Sequence, residues 1–305
     1  MNYKLFVPDG LDAGTPVPLV VMLHGCTQDP DQFATGTKMN VLAQEKGFLV
    51  AYPDQPLPAN GRKCWNWFLP AHQSRGSGEP AAIAAIPADV DQVHPVDPDR
   101  TYVAGLSAGG AMAVIVGATY PDRFAAIGVH SGLEYQAAKD VFSAACPPLG
   151  FNPNGATCKG GPPPNQQGDV AFAAMGPHAR VVSTIVFHGT SDDKVFLVNA
   201  HQIVSQWAQT NDRASDGADN NNVDDVAELT QPQQPQVSGG WAFTRQSYND
   251  STTGQSVIDL YLVEGMAHAW SGGDPAGSHT DRRGPDASSI MWEFFAGHPR
   301  PQGPV

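Results

Sequence analysis

The sequence predicts an α/β fold in which a mostly parallel central sheet carries helices on both faces. Six apolar runs recur along the chain, helix-like stretches separate them, and a serine flanked by glycines follows one of the runs. Continuous apolar runs are typical of strands that are buried on both faces of a parallel sheet. Their alternation with helices predicts this sheet and its two helical layers.

The predicted elements follow one another in alternating order. A first strand lies within residues 1–8, and the apolar runs lie at 17–24, 47–52, 101–106, 125–130, 181–188 and 257–263. The helix-like stretches lie at 32–46, 80–93, 108–120, 198–210 and 287–295. Sheets of this kind bind ligands at the carboxyl ends of their strands, so the residues directly after each run are the candidates for chemistry.

The length of the chain favours one large core. Its 305 residues are 41% hydrophobic, and α/β folds often reach this size as a single domain. We therefore expect one domain over residues 1–305, interrupted by insertions at about 133–180 and 211–250.

Charge and hydropathy argue against two classes of partner. The 30 acidic and 17 basic residues give a net charge of −13 without a Lys/Arg cluster, which argues against nucleic acid. No apolar run approaches the length of about 18 residues that a membrane span needs. The first residues resemble a strand rather than a signal peptide, so we expect either a cytosolic protein or a trimmed mature form.

The segment Thr101–Gly110 predicts a nucleophilic serine. An apolar run ends in Gly105-Leu-Ser-Ala-Gly109 and continues into a helix-like stretch, the pattern of the nucleophile elbow of an α/β-hydrolase fold. Ser107 would stand on a sharp turn that exposes its hydroxyl. The turn is possible only if the two flanking glycines, Gly105 and Gly109, leave room for the backbone.

A serine hydroxyl needs a base and a group that orients the base. In this fold the acid follows the serine and the histidine comes last. Asp192 and Asp193 follow the run 181–188, and we choose Asp192, with Asp193 as the alternative. His268 follows the last predicted strand between small residues and is the expected base. The other histidines downstream of the acid are expected at the surface, namely His279 and His298.

Two backbone N–H groups should stabilise the oxyanion that forms when the serine attacks an ester. One belongs to Ala108, directly after Ser107, where a helix begins. The second should come from the loop after the early strand, in His24-Gly-Cys-Thr-Gln28, and we assign it to Cys26.

Four cysteines lack any Cys-x-x-Cys spacing, which argues against zinc. Their positions favour disulfides that join Cys26 to Cys64 and Cys146 to Cys158. The alternative is four buried free thiols in a cytosolic enzyme. Disulfides would indicate an oxidising compartment, and we expect a secreted or periplasmic protein whose signal segment is absent from the given chain.

The two insertions are expected to be irregular. Residues 133–180 contain Pro/Gly-rich stretches and should form irregular surface structure that partly covers the site. Within 211–250, the Asp/Asn-rich segment 212–225 lacks the ligand spacing of a known calcium loop, so we expect a solvated flexible loop.

Five motifs in one order resemble the esterase family of polyhydroxybutyrate depolymerases and its feruloyl and acetylxylan esterase relatives. The motifs are His24-Gly-Cys-Thr-Gln28, Cys64-Trp-Asn-Trp-Phe68, Gly105-Leu-Ser-Ala-Gly-Gly-Ala-Met112, His188-Gly-Thr-Ser-Asp192 and Gly265-Met-Ala-His-Ala-Trp270. The resemblance covers about residues 3–295. It implies the α/β-hydrolase fold, the triad of Ser107, Asp192 and His268, and no metal or organic cofactor.

Aromatic residues near the proposed site suggest the substrate. We expect one of Trp65 and Trp67 to face the acyl pocket, with Trp270 as a further contact. The leading hypothesis is hydrolysis of hydroxyalkanoate esters or polyester through an acyl-enzyme, and feruloyl or acetyl esters of plant polysaccharides are the alternative. Acyl transfer by the same triad and a non-catalytic binding protein of this fold are weaker hypotheses.

Overall fold

The computed structural model describes residues 1–12, 14–146 and 152–301. The strands are β1 (Tyr3–Phe6), β2 (Val17–Leu23), β3 (Leu49–Pro53), β4 (Val96–Leu106), β5 (Ala126–His130), β6 (Ser183–Gly189), β7 (Leu229–Gln233), β8 (Phe243–Asn249), β9 (Ser256–Val263), β10 (Trp270–Ser271) and β11 (Thr280–Asp281). The helices are α1 (Pro30–Thr37), α2 (Met39–Lys46), α3 (Gly78–Val90), α4 (Ala108–Thr119), α5 (Val141–Ala144), α6 (Ala156–Lys159), α7 (Pro164–Met175), α8 (Val198–Asp216) and α9 (Ala287–Gly297).

Within the described ranges, strands β1 to β9 form one sheet in the order β1-β3-β2-β4-β5-β6-β9-β8-β7. The central strands from β3 to β9 pair in parallel, whereas β1, β8 and β7 add antiparallel edges. This architecture confirms the predicted fold class. The carboxyl ends of β2, β4, β6 and β9 therefore lie at the same edge of the sheet, where the loops with the proposed chemistry begin.

The core lies on both faces of the sheet. Strand β2 illustrates this, because its successive side chains point to opposite faces. Leu19 and Val21 pack into a cluster with side chains from α3, α4 and α8, whereas Val20 and Met22 pack with α1, α2 and α9. Helix α4, which begins directly after Ser107, is buried along its whole length. The start of that helix is therefore held firmly against the sheet.

The single helix predicted over 32–46 is two helices. Lys38 has a left-handed backbone, with φ 56°, and separates α1 from α2. The Thr37 hydroxyl donates to the carbonyl oxygen of Phe33 at 2.8 Å and accepts from the N–H of Met39 at 3.4 Å. This local hydrogen bonding competes with continuation of the helix.

The insertion at 133–180 is more regular than predicted. Helix α7 occupies 164–175 and packs on α8, where the Thr210 hydroxyl donates to the carbonyl oxygen of Gly168 at 3.1 Å. A Cβ at Gly168 would clash with the side chain of Gln209, so the glycine permits the close contact. The expectation of irregular structure is wrong for α7, and residues 147–151 lie outside the described residues.

The insertion at 211–250 likewise contains regular structure that the sequence did not reveal. Its first residues belong to α8, where the Asn211 amide bridges the backbone N–H and C=O of Val182 at 2.8 and 3.1 Å. Strands β7 and β8 then extend the sheet. These two antiparallel strands do not contain the apolar runs that mark the central strands, so the pattern of apolar residues did not predict them.

The Asp/Asn-rich segment is organised by one buried carboxylate. Asp212 accepts hydrogen bonds from the N–H groups of Asn220 at 2.9 Å and Asn222 at 2.5 Å. Half of its 14 residues are exposed, as expected of a solvated segment, but residues 212–216 belong to α8, so the expectation of a loop is wrong for them. Among the described residues, no group of three or more His, Cys, Asp or Glu side chains is arranged to hold a metal ion.

Two disulfides join Cys26 to Cys64 and Cys146 to Cys158, as predicted. The first connects the loop after β2 to the segment before α3. The second lies near the cavity described below. In the described parts of the chain, no helix combines the length and the apolarity that crossing a bilayer requires.

Candidate active site

Ser107 occupies the sharp turn between β4 and α4. Its backbone has φ 59° and ψ −119°, a conformation that non-glycine residues rarely adopt and that is found at functional sites. Its N–H donates to the carbonyl oxygen of His130 at 2.8 Å. A Cβ at Gly105 would clash with the backbone of Gly109, and one at Gly109 would clash with the carbonyl of Leu23. Both glycines are therefore required by the close approach of β2 and β4 to α4.

Asp192 and His268 form a hydrogen-bonded pair. The Nδ1–H of His268 donates to Oδ2 of Asp192 at 2.7 Å, and the carboxylate side chain is fully buried. Its Oδ1 accepts from the backbone N–H groups of Lys194 and Val195, each at 2.9 Å. Asp193, the alternative acid, is exposed and pairs with Lys194 at 3.0 Å. The structure thus brings Asp192, and not Asp193, to the histidine.

The surroundings of Asp192 keep its carboxyl ionised. Burial by itself raises the pKa, but the hydrogen bond from His268, the positive charge that His268 or His188 carries when protonated, and the Val195 N–H outweigh it, so the pKa lies below its usual value. An ionised carboxylate can only accept a hydrogen bond. The proton of His268 must therefore reside on Nδ1, which leaves Nε2 as the basic nitrogen.

Ser107 and His268 line the same cavity, which has a volume of about 520 Å³. One part of its wall is apolar and includes Trp67, Phe68, Leu133, Val141 and Val195. The insertion at 133–180 contributes to this wall and so borders the site. The cavity is large enough for a small ester, and its lining combines this apolar surface with polar side chains such as Asn60, Thr157 and Lys194.

The loop after β2 reaches the cavity through Cys26 and is rigidly held. The side-chain oxygen of Gln28 accepts the N–H of Gly25 at 2.8 Å, and the N–H of Thr27 donates to the Arg62 carbonyl oxygen at 2.7 Å. The disulfide to Cys64 adds a covalent tie. Within the described residues, the N–H groups of Cys26 and Ala108 have no hydrogen-bond partner, and both residues line the cavity.

The three predicted substrate contacts occupy different environments. Trp67 lines the cavity. Trp65 is fully buried and donates its Nε1–H to the carbonyl oxygen of His24 at 3.0 Å, so it supports the loop instead of facing the cavity. Trp270 is also outside the cavity lining, because its ring packs between Phe33 and His130. The assignments of Trp65 and Trp270 as substrate contacts are therefore corrected.

Sequence reasoning missed that His279 lines the cavity. Its side chain is exposed, as expected, but it also borders the cavity, and its Nε2 lies 3.5 Å from Oγ1 of Thr27. No local pattern marks it, since it lies in a polar, glycine-rich loop. His298, by contrast, lies at the end of α9, where its ring nitrogens contact the carbonyl oxygens of Phe294 and Ser256, outside the cavity lining.

Two buried histidines support the site. The Nε2–H of His188 donates to the carbonyl oxygen of Val195 at 2.8 Å and lies 3.6 Å from Oδ2 of Asp192. His130 accepts the N–H of Ser271 on Nε2 at 3.0 Å and thereby anchors the chain just after His268. Burial lowers the pKa of both rings, which favours their neutral forms.

The chain is similar to a family model and to several known proteins. A family model described as "Esterase PHB depolymerase" matches residues 1–232. The chain is 34% identical over 278 residues to poly(3-hydroxyalkanoate) depolymerase C of Paucimonas lemoignei, which covers 88% of this chain and 58% of that protein. It is 32% identical over 269 residues to feruloyl esterase B of Thermothelomyces thermophilus, covering 87% of this chain and 82% of that protein.

A solved structure shares the fold. Acetyl xylan esterase from Aspergillus awamori matches with a TM-score of 0.73 at 21% identity, over 96% of this chain and 93% of that one. The chain spans little more than half the length of the Paucimonas relative. Because the family model matches well over half of the chain and two relatives exceed 30% identity, the chain belongs to the esterase PHB depolymerase family.

Proposed function

We propose that this chain is a serine carboxylic ester hydrolase in which Ser107, Asp192 and His268 form the catalytic triad. The observation that carries the proposal is the 2.7 Å hydrogen bond between Asp192 and His268 beside the cavity that His268 shares with Ser107. The strained turn at Ser107 adds support, because such a conformation projects the hydroxyl away from the sheet.

The reaction would proceed through an acyl-enzyme. His268 Nε2 takes the proton of the Ser107 hydroxyl while Oγ attacks the ester carbonyl carbon. The N–H groups of Cys26 and Ala108 stabilise the resulting oxyanion, and His268 then protonates the departing alcohol. Water, activated by the same histidine, attacks the acyl-enzyme and releases the acid together with free Ser107. Asp192 holds the imidazole in the required tautomer throughout.

The substrate class we propose is short hydroxyalkanoate esters or polyester. The apolar wall of the cavity can accommodate an aliphatic acyl chain, and the likeness to a poly(3-hydroxyalkanoate) depolymerase supports this choice. Feruloyl or related aryl and acetyl esters are the second candidate. Trp67 and Phe68, which line the cavity and pack edge to face, favour this candidate because they could contact an aromatic acyl group.

A secreted or periplasmic location is part of the proposal. Two disulfides are typical of proteins from oxidising compartments, since cytosolic thiols are kept reduced. Intact-mass measurement after alkylation without a reductant tests this in protein isolated from its native host. Four alkylated thiols would contradict the disulfides and the location inferred from them.

A fluorophosphonate probe tests the enzymatic proposal without knowledge of the substrate. The wild-type protein should be labelled on Ser107, and Ser107→Ala should not be labelled. A panel of methyl ferulate, short p-nitrophenyl esters and amorphous polyhydroxybutyrate then ranks the substrate classes. Absence of both labelling and hydrolysis would favour a non-catalytic binding protein, whereas product esters formed with an added alcohol would indicate acyl transfer.

A further inference from the structure

His279 lies next to the proposed catalytic histidine because of a small parallel pairing. Strands β10 and β11 follow His268 and His279, respectively, and pair with each other. The N–H of Trp270 donates to the His279 carbonyl oxygen at 2.8 Å. The pairing brings both imidazoles to the cavity wall, although 11 positions separate them in the sequence.

The backbone at His279 is held in an unfavourable conformation. Its φ of 53° is left-handed, a region that non-glycine residues occupy rarely and at a cost. The preceding residue is anchored, because the Gln28 amide donates to the carbonyl oxygen of Ser278 at 2.9 Å. Strain that the surrounding structure maintains is typical of functional positions.

The hydrogen-bonding capacity of the His279 ring is largely unused by the protein. Its only hydrogen-bonding contact among the described residues is the long one of 3.5 Å with the Thr27 hydroxyl. The ring is exposed on one side, and its partial desolvation, followed by the positive charge that His268 carries when protonated, lowers the pKa of His279 and favours the neutral form. A neutral imidazole offers one donor and one acceptor. His24 differs, because both of its ring nitrogens are occupied by backbone groups.

Thr27 completes a polar edge of the cavity. It follows Cys26, whose N–H is the proposed oxyanion donor, and its N–H is held by the Arg62 carbonyl oxygen at 2.7 Å. Its hydroxyl and the His279 ring thus line the cavity in which the ester would be bound. Elsewhere the wall includes apolar side chains such as Leu133 and Val141, together with further polar ones such as Asn60, Thr157 and Lys194.

We propose that Thr27 and His279 form a subsite that hydrogen-bonds a second oxygen of the ester substrate, a hydroxyl or carbonyl close to the ester that is cleaved. Hydroxyalkanoate esters carry such an oxygen, whereas simple alkanoate esters of the same length lack it. The subsite rests on the proposed function and specifies its substrate. Thr27 and His279 are both exposed, so water can bond to them in the free protein. A substrate oxygen replaces the hydrogen bonds of this water, whereas an analogue without the oxygen displaces the water and replaces nothing.

Two pairs of substrates test the subsite. Methyl 3-hydroxybutyrate and methyl butyrate differ by an oxygen on the acyl side, and 2-hydroxyethyl butyrate and ethyl butyrate differ by one on the alcohol side. In at least one pair the wild-type protein should show a higher kcat/KM for the oxygen-bearing member. His279→Asn and Thr27→Val should each reduce that preference by about tenfold, as expected for one lost hydrogen bond.

The variants preserve the local structure as far as possible. Asparagine tolerates the left-handed backbone of His279 but is too short to replace the ring, and valine has the branched shape of Thr27 without its hydroxyl. His178→Asn is the matched control, since His178 is exposed and outside the cavity lining. Thermal unfolding of each variant verifies that it is folded.

The results separate the subsite from the proposed function. If both variants lose the wild-type preference for the oxygen-bearing ester in one pair, the subsite is supported. The pair affected shows whether the subsite binds the acyl or the alcohol portion. A wild-type protein without preference in either pair, or variants that keep the wild-type preference, would overturn the subsite alone. If the wild-type protein hydrolysed none of the four esters but was still labelled by the fluorophosphonate on Ser107, the subsite alone would fall. If labelling and all ester hydrolysis were absent, the proposed function would fall and the subsite with it.

Discussion

Gln28 joins the two loops that meet at the cavity, because its Nε2 donates to the carbonyl oxygen of Ser278 at 2.9 Å. Its Oε1 accepts the N–H of Gly25 at 2.8 Å. One fully buried side chain thus connects the loop of the proposed oxyanion donor to the loop that follows the proposed base. The relative position of Cys26 and His268 depends on this amide.

Gln28→Leu should lower kcat more than it raises KM. The variant keeps the volume but leaves two buried backbone groups unpaired, which should cost about 2 kcal/mol of unfolding free energy. Steady-state kinetics with a p-nitrophenyl ester and chemical denaturation measure the two effects. Gln44→Leu, at an exposed position on α2, is the control. A loss of stability with an unchanged kcat would contradict the positioning role.

Variants of the proposed triad should lose activity and keep the fold. Ser107→Ala, His268→Ala and Asp192→Asn should each lower kcat by about 10⁴-fold, because proton transfer by the histidine requires all three groups. Asp193→Asn is the control, since Asp193 is exposed and pairs with Lys194 instead of His268. Comparable losses in Asp192→Asn and Asp193→Asn would refute the assignment of the acid.

The two neighbouring tryptophans should respond differently to substitution. Trp65→Ala should reduce the free energy of unfolding by about 4 kcal/mol, because it empties a fully buried site and removes the hydrogen bond to His24. Trp67→Ala should lower kcat/KM for methyl ferulate by up to about tenfold, with partial recovery in Trp67→Phe. Equal kinetic effects of the two alanine variants would contradict the placement of Trp67 at the cavity.

Glu134 should make the protein less stable as the pH rises. Both carboxyl oxygens are buried without a hydrogen-bond partner in the described residues, and burial raises the pKa from 4.5 to about 8. Between these values the unfolded chain has released a proton that the folded protein retains. Stability therefore falls with rising pH, by at most about 1.4 kcal/mol per pH unit.

Glu134→Gln tests this pH dependence. The neutral amide removes the ionisation, so the variant should gain stability relative to wild type as the pH increases from 5 to 8. Thermal or urea unfolding at several pH values measures the difference. Glu45→Gln, at an exposed position on α2, should leave the pH dependence unchanged. Parallel curves for wild type and Glu134→Gln would argue against a neutral buried carboxyl.

The two disulfides should differ in their effect on catalysis. A model of loop closure gives about 4 kcal/mol for the bridge of Cys26 and Cys64, separated by 38 residues, and about 3 kcal/mol for Cys146 and Cys158, separated by 12. Replacement of the first pair by alanine should also lower kcat, because Cys26 carries a proposed oxyanion donor. The second pair is the matched control. A larger loss of kcat after replacement of Cys146 and Cys158 would contradict the proposed role of the Cys26 loop in catalysis.

Much of the architecture followed from local patterns in the sequence. The apolar runs identified the central parallel strands, because strands that are buried on both faces contain few polar residues. The glycines around Ser107 identified the strained turn, since a Cβ at Gly105 or Gly109 has no space. The order of serine, acid and histidine was sufficient to propose Ser107 and His268, whereas Asp193 stayed open as the alternative to Asp192.

The spacing of apolar residues did not predict the elements whose structure depends on contacts with other elements. Strands β7 and β8 carry mostly polar or half-buried residues, and they join the sheet because β8 pairs with β9 and β7 pairs with β8. Helix α7 begins after a proline-rich stretch that indicates a loop, yet packing against α8 stabilises it. Asp212 organises its segment through hydrogen bonds to residues 220 and 222, which composition alone does not reveal.

The sequence by itself determined the fold class, the turn at Ser107 and both cysteine pairs. Only the tertiary structure decided that Asp192 meets His268, that Trp67 and not Trp65 lines the cavity, and that His279 lies at its edge. Strands and tight turns depend on neighbours in the chain, which a sequence displays directly. The direction of a loop side chain depends on groups that are distant in sequence and become neighbours only when the chain is folded.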